Sequence, residues 1–250
     1  MLGHHADAST DSIQLPRLLV SVRNAEEAQL AVDEGVRLIA VKEPRRGSLG
    51  AAAAESVSEV ADICDSKFLW SVALGELLDT PPAAFPADLR PTFVKCGLSG
   101  CGPRTNWQEL WQRRMARYSG AAVAVVYADW EAAGAPSAVD VVDHAAAAHC
   151  PAVLLDTFDK TRGSLLQQMT REEIARGISS VHQGGMKAVV AGSLTREMVG
   201  PLLREGADCV AVRGAACRGS RSGPLDRTAL RKLVSTVNST EVSRHAAVKG

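Results

Sequence analysis

Residues 36–51 read Val-Arg-Leu-Ile-Ala-Val-Lys-Glu-Pro-Arg-Arg-Gly-Ser-Leu-Gly-Ala, from Val36 to Ala51. Four apolar residues, 38–41, are too few for a helix and suit a strand buried on both faces. Lys42 follows at once. Pro44 and Gly47 punctuate the next stretch as a turn. From Ala51 an Ala-rich segment runs to Cys64, with Val57, Val60, Ala61 and Ile63 at helical spacing. The unit is therefore strand, polar turn, helix.

Working outward, the same unit recurs. Short apolar runs lie at 18–22, 38–41, 68–74, 92–96, 121–127, 152–155, 188–191 and 209–212. Helical segments are predicted at 25–33, 51–64, 107–118, 137–149, 170–183, 195–205 and 227 to about 237. Asn24, Asn106, Thr170 and Asp226 are expected caps, and Thr170-Arg-Glu-Glu173 is a capping-box pattern. Residues 76–90 hold three prolines and are expected to form a loop or one short helix. Eight strands alternating with helices predict an α/β fold, a single-domain (β/α)8 TIM barrel. An open doubly wound sheet is the runner-up, but no GxGxxG follows a strand. No repeat with a fixed motif is evident. Residues 1–15 and 238–250 are polar and expected to fray as arms, leaving 16–237 as the catalytic barrel.

Composition bounds the partners. The chain has 250 residues, 46% hydrophobic and 22% charged, enough for one core without staples. Lys plus Arg and Asp plus Glu each total 28, so the bulk charge draws neither nucleic acid nor anionic membrane. No apolar stretch reaches membrane-spanning length and no export signal is visible, so a cytoplasmic location is expected. The six cysteines are scattered, which suits reduced thiols; Cys96 and Cys101 lack a second pair and are not expected to bind metal. His144, His149 and His182 are placed on helices, in packing or surface roles, and the four tryptophans in packing. Barrels commonly associate through helix faces, so a homo-oligomer is compatible with the sequence, which does not specify its order.

In such a barrel, chemistry gathers at the carboxyl ends of the strands. Those ends carry Ser21, Lys42, Lys95, Asp156 with Lys160 four residues on, Gly192-Ser193, and Arg213-Gly214. Three amines at one rim raise one another's charging cost, and a neutral lysine is a nucleophile toward carbonyls. Asp156 is suited to hold an ammonium or pass a proton. Gly192, Ser193, Arg213 and Gly214 suit a phosphate, and Gly47-Ser48 offers a second cradle. The expected ligand is a small phosphate ester that carries a carbonyl group.

These residues carry a family resemblance. The run from Val41 to Ala51 resembles the VKNPxxGSLGA signature of the (5-formylfuran-3-yl)methyl phosphate synthases. These are also called 4-(hydroxymethyl)-2-furancarboxaldehyde-phosphate synthases, of the methanofuran pathway. Val94 to Leu98, Asp156 to Lys160, Ala191 to Ser193 and Val212 to Cys217 are similar to its later motifs, in the same order. The likeness runs from about Leu18 to Leu233.

The resemblance implies a TIM-barrel lyase, of the carbon–oxygen type acting on phosphates. Such an enzyme joins two molecules of glyceraldehyde 3-phosphate, a small phosphorylated aldehyde, with loss of phosphate and water. It implies a Schiff base at Lys42, Lys95 as proton acceptor, and Asp156 and Lys160 completing the site. No cofactor is implied, since the lysine iminium is itself the electron sink. One position departs: the family signature has Asp two residues before the Schiff-base lysine, and this chain has Ala40. The residues alone leave open a different Schiff-base aldolase or isomerase, or a non-catalytic phosphate-ester binder.

Overall fold

A computed structural model describes residues 14–64, 67–82, 85–86 and 89–248, with side chains given to position 240. The expected arm at 1–13 lies outside the described residues. The elements run β1 (Leu18–Val22), α1 (Ala25–Asp33), β2 (Leu38–Val41), α2 (Ala54–Cys64), β3 (Leu69–Glu76), β4 (Phe93–Gly97), α3 (Trp107–Met115), β5 (Ala121–Ala122), β6 (Ala124–Tyr127), α4 (Trp130–Ala133), α5 (Ala138–Ala147), β7 (Ala152–Asp156), α6 (Leu165–Gln168), α7 (Arg171–Gln183), β8 (Lys187–Val190), α8 (Arg196–Arg204), β9 (Cys209–Val212) and α9 (Arg227–Val248).

All strands pair in parallel, in the order β5-β4-β3-β2-β1-β9-β8-β7-β6. β5 pairs with β4 and β6 with β7, so the two pieces form one interrupted stave between them. Val123, at the break, still donates its N–H to Val94 O at 2.9 Å. The eight expected staves therefore close into a barrel, and the run 121–127 is two strand pieces instead of one.

Strand side chains alternate between the barrel interior and the helical layer. Val20, Val22, Ile39, Val41, Val72, Leu74, Val94 and Cys96 are almost wholly buried on the helix side. That explains the continuous apolar runs: both faces of each stave are covered. Registry places Ser21 beside Ala40, Ala40 beside Ser71, and Ala73 beside Lys95 on the inward face.

Three of the four expected caps act. Asn24 accepts from Glu27 N–H, Asp226 from Ala229 N–H, and Thr170 and Glu173 form the reciprocal box. Asn106 makes no side-chain cap. Other expectations are corrected. α2 starts at Ala54, because 47–50 are spent in the preceding loop; α3 ends at Met115. Between β3 and β4 no helix forms among the described residues. Short α4 and α6 escape a helical-period reading because one turn shows no period. α9 continues past 237 to Val248, where Thr240 is buried against α8 near Gly200. His149 sits after α5 in a left-handed turn at φ 52°, not on the helix. Trp70, Trp107 and Trp111 are buried, whereas Trp130 is exposed. No helix among the described residues is long and apolar enough to cross a membrane.

Candidate active site

A cavity of about 450 Å³ opens at the carboxyl ends of the staves. Its lower wall is apolar, with Leu19, Leu38, Phe93, Val123, Leu154 and Val189. Its upper wall carries Lys42, Lys95, Asp156, Lys160 and Arg221, with Gly192, Ser193 and Gly214 along one side. The fold thus brings the four expected catalytic residues into one chamber. Ser21 lines it too, from β1.

Lys42 leaves β2 and turns into the cavity. Its Nζ donates to Ser48 O at 3.1 Å. The loop that supplies this carbonyl folds back on itself: Glu43 N–H donates to Gly50 O at 2.9 Å, and Pro44–Arg46 forms a tight turn on the Glu43 carboxylate. Gly50 is required there, since a Cβ would lie 2.3 Å from Glu43 O. Burial pushes the Lys42 amine down to about 7, helped by Lys160, Arg221 and Lys95 and opposed by Asp156. Near neutrality a large fraction of Lys42 is the free amine.

Lys95, on β4, is 5% exposed and donates to Ser71 Oγ at 2.8 Å. Burial lowers it to about 8, opposed by Asp156 and Cys209. Ala40 lies in registry with Ser71, so Lys95 meets a hydroxyl on that side and no carboxylate.

Lys160 differs. Its Nζ finds three acceptors: Asp156 Oδ1 at 2.5 Å, Thr157 O at 2.6 Å and Thr157 Oγ1 at 3.0 Å. That is the full complement of hydrogen bonds an ammonium can donate, so the Lys160 amine is fully engaged. Asp156 accepts from Lys160, from Thr157 N–H at 2.8 Å and from Ser48 Oγ at 2.9 Å. Burial alone would raise the Asp156 carboxyl, but Lys160 and Lys42 outweigh it and hold the group below its ordinary value. Asp129, which the sequence reading did not single out, accepts Phe158 and Asp159 N–H at 2.7 and 2.9 Å and fixes the turn that carries Lys160.

The expected phosphate residues divide. Gly192, at φ 109°, passes so close to Leu165 and Thr157 that a Cβ would meet both at 3.0 Å. Exposed Ser193 and Gly214 line the same wall. Gly47 stays at the rim, its carbonyl accepting from Arg221 at 3.2 Å. Ser48 is fully buried and shares its one proton between Asp156 Oδ2 and Thr157 O, so its hydroxyl is spent inside the protein. The β2–α2 loop therefore reaches the β7 stave and ties Lys42's loop to Asp156. Arg213 corrects the expectation most sharply. All five of its donors are used, on Glu27 Oε1 and Oε2, Ser21 O, Arg221 O and Gly223 O. None remains for a ligand.

A repeat also emerges. Arg46-Gly-Ser-Leu49 and Arg162-Gly-Ser-Leu165 are identical. Each follows a tight three-residue turn capped by an acid, Glu43 or Asp159, and each glycine has nearly the same backbone, φ 106° and ψ −165° against φ 95° and ψ −162°. They follow β2 and β7, four staves apart and hence opposite in the barrel. A four-residue identity in loops that lead into dissimilar helices is invisible to a search for long periods, but direct comparison of strand ends finds it.

The sequence profile of the family described as 4-HFC-P synthase matches residues 18–234. The (5-formylfuran-3-yl)methyl phosphate synthase of Methanopyrus kandleri is 33% identical over 87% of this chain and 97% of its own length. The enzyme of the same name from Methanocaldococcus jannaschii is 31% identical over 86% and 97%. Among solved structures, thiamine phosphate pyrophosphorylase from Pyrococcus furiosus superposes with a TM-score of 0.58 at 13% identity, covering 91% of this chain and 97% of that one. That likeness shows the barrel fold alone.

Proposed function

The chain belongs to the 4-HFC-P synthase family, and we propose that it is a (5-formylfuran-3-yl)methyl phosphate synthase acting through a Schiff base at Lys42. The substrate is glyceraldehyde 3-phosphate, taken twice, and the product serves a methanofuran-type carrier.

One observation supports this reading above the rest. Two lysines with depressed basicity, Lys42 near 7 and Lys95 near 8, face one cavity beside a third lysine that is fully engaged. An amine near 7 condenses with an aldehyde at neutral pH; an ordinary surface lysine is the free amine roughly a thousandfold less often. The amine adds to the carbonyl and water departs, giving an iminium. That iminium draws electrons from the adjacent C–H bond. A neutral Lys95 accepts the proton, and the resulting enamine attacks the second aldehyde. Loss of one phosphate as the leaving group and of water completes the ring, and hydrolysis of the C=N bond releases the aldehyde and returns Lys42 to the free amine. Asp156 and Lys160 keep opposite charges fixed next to the developing iminium, a preorganised arrangement that needs no rearrangement during the reaction.

The test is product analysis. Purified protein incubated with glyceraldehyde 3-phosphate should give a furan aldehyde phosphate by mass and by its ultraviolet absorption, and Lys42→Ala should lose it. An aldol or ketose phosphate in its place overturns the assignment.

A further inference from the structure

Six cations line the cavity wall: Lys42, Lys95, Lys160, Arg196, Arg213 and Arg221. Lys160 is held by Asp156 and Arg213 by Glu27. Arg196 is exposed and ion-paired to Glu197 on its own helix. Lys42 and Lys95 are the two amines assigned to chemistry. Arg221 is left. It is half-buried, and among the described residues its guanidinium bonds only the Gly47 carbonyl, at 3.2 Å.

The loop that presents it is braced. Cys217 and Leu225 pair as an antiparallel bridge and close the segment between them. Arg213 donates to the carbonyls of Arg221 and Gly223, at 2.9 and 2.8 Å. Arg23 donates to the carbonyl of Ser222 at 2.9 Å. Both arginines share one buried carboxylate, Glu27, with Arg23 at 2.6 Å and Arg213 at 2.5 Å. An Arg–Glu–Arg cluster thus holds three successive carbonyls of the loop and fixes the backbone from which the Arg221 side chain extends over the mouth. A guanidinium taken partly out of water with no ion-paired acid is costly; the Asp156 charge opposes that cost only in part, and an anion in the cavity would offset the rest.

We propose that Arg221 is the residue that grips the phosphate of the substrate joined to Lys42, and that Arg213, Glu27 and Arg23 are positioning residues that hold its loop. The assignment to a substrate rests on the proposed function; the anion site does not. The fork geometry of Arg221 matches two phosphate oxygens, and the backbone of Gly192, Ser193 and Gly214 lies along the same wall. Arg221 also helps keep Lys42 deprotonated. A bound phosphate would screen that charge, so binding and amine basicity are coupled.

The first measurement is calorimetric binding of inorganic phosphate to the full chain at fixed ionic strength. The wild type should bind it. Arg221→Ala should weaken binding about tenfold or more, and Arg221→Lys by less, since a point charge replaces a fork. Arg218→Ala serves as a control on the same loop: its side chain is exposed and paired with Asp226, and its affinity should not change. The second measurement is borohydride trapping with glyceraldehyde 3-phosphate and with unphosphorylated glyceraldehyde. The preference for the phosphorylated aldehyde should fall about tenfold in Arg221→Ala, a ratio in which the change of Lys42 ionisation in the free enzyme, common to both substrates, cancels. Circular dichroism checks that each variant is folded. A wild type that does not bind phosphate, or an Arg221→Ala that binds it equally well, overturns the proposal. Phosphate binding that depends on Arg221 with no aldehyde trapped leaves the anion site standing and removes the proposed function.

Discussion

Lys42 and Lys160 are the same residue type in one chamber, and their surroundings give them opposite tasks. Lys160 has three acceptors, one of them the Asp156 carboxylate; Lys42 has one, a backbone carbonyl. An ammonium wants three acceptors, so the first is fully engaged, whereas the second is left to serve as the nucleophile of the proposed reaction. Lys95 is intermediate, with a single serine hydroxyl. This makes Ala40 informative. Its position borders Ser71 on the inward face, so Ala40→Asp sets a carboxylate near Lys95. An anion favours the ammonium, so the Lys95 pKa rises from about 8. The rise of turnover with pH that reports a neutral Lys95 should then move to higher pH. A shift to lower pH, or none, contradicts the placement of Lys95 as proton acceptor. At this scale the sequence was partly legible. A polar residue directly after an apolar run marks a stave end, and that rule found Lys42, Lys95 and Asp156. It failed for Arg213 and Arg221. Both sit near the end of β9, and only the loop contacts decide which one is consumed by carbonyls.

The elements follow from packing of short, doubly buried strands under amphipathic helices. Caps and apolar spacing placed seven helices, although several ends moved by a few residues. The pieces that were missed have one-turn lengths, as in α4 and α6, or lie where prolines erase periodicity, as in the β3–β4 connection. The split at Val123 is of the same kind. The apolar run 121–127 is continuous in composition, and its break comes from changing partners, β4 for β5 and β7 for β6. α9 exceeded its expected end because its outer turns are polar while α8 still covers it. Leu202 and Leu203 of α8 and Leu230 and Leu233 of α9 are all fully buried. Leu233→Ala should therefore cost about 2–5 kcal/mol in urea unfolding. A loss below about 1 kcal/mol would show that α9 is not seated in the core as described.

For the molecule as a whole, a formal net charge of zero conceals a sharp local arrangement. Cations collect at one barrel mouth, and the acids that balance them lie elsewhere or are already paired. A low-dielectric chamber with excess positive lining suits the phosphorylated substrate of the proposed function in spite of the neutral total. The two Arg-Gly-Ser-Leu loops on opposite staves give that mouth an approximate twofold plan. One copy carries Lys42 at its base and the other carries Asp156 and Lys160, so the plan is shared while the chemistry is divided. Barrel closure and the location of the mouth were readable from the recurring strand–turn–helix unit. The crossing of Ser48 to Asp156 was not, because a hydrogen bond spanning 108 residues leaves no local trace.

The most direct test of the central claim is borohydride trapping with glyceraldehyde 3-phosphate across a pH series, with the modified peptide identified by mass. The account predicts a single adduct on Lys42, with trapping rising to half its maximum near pH 7. An adduct on Lys95 or Lys160 instead, or a rise only near the ordinary lysine value of about 10.4, would contradict it.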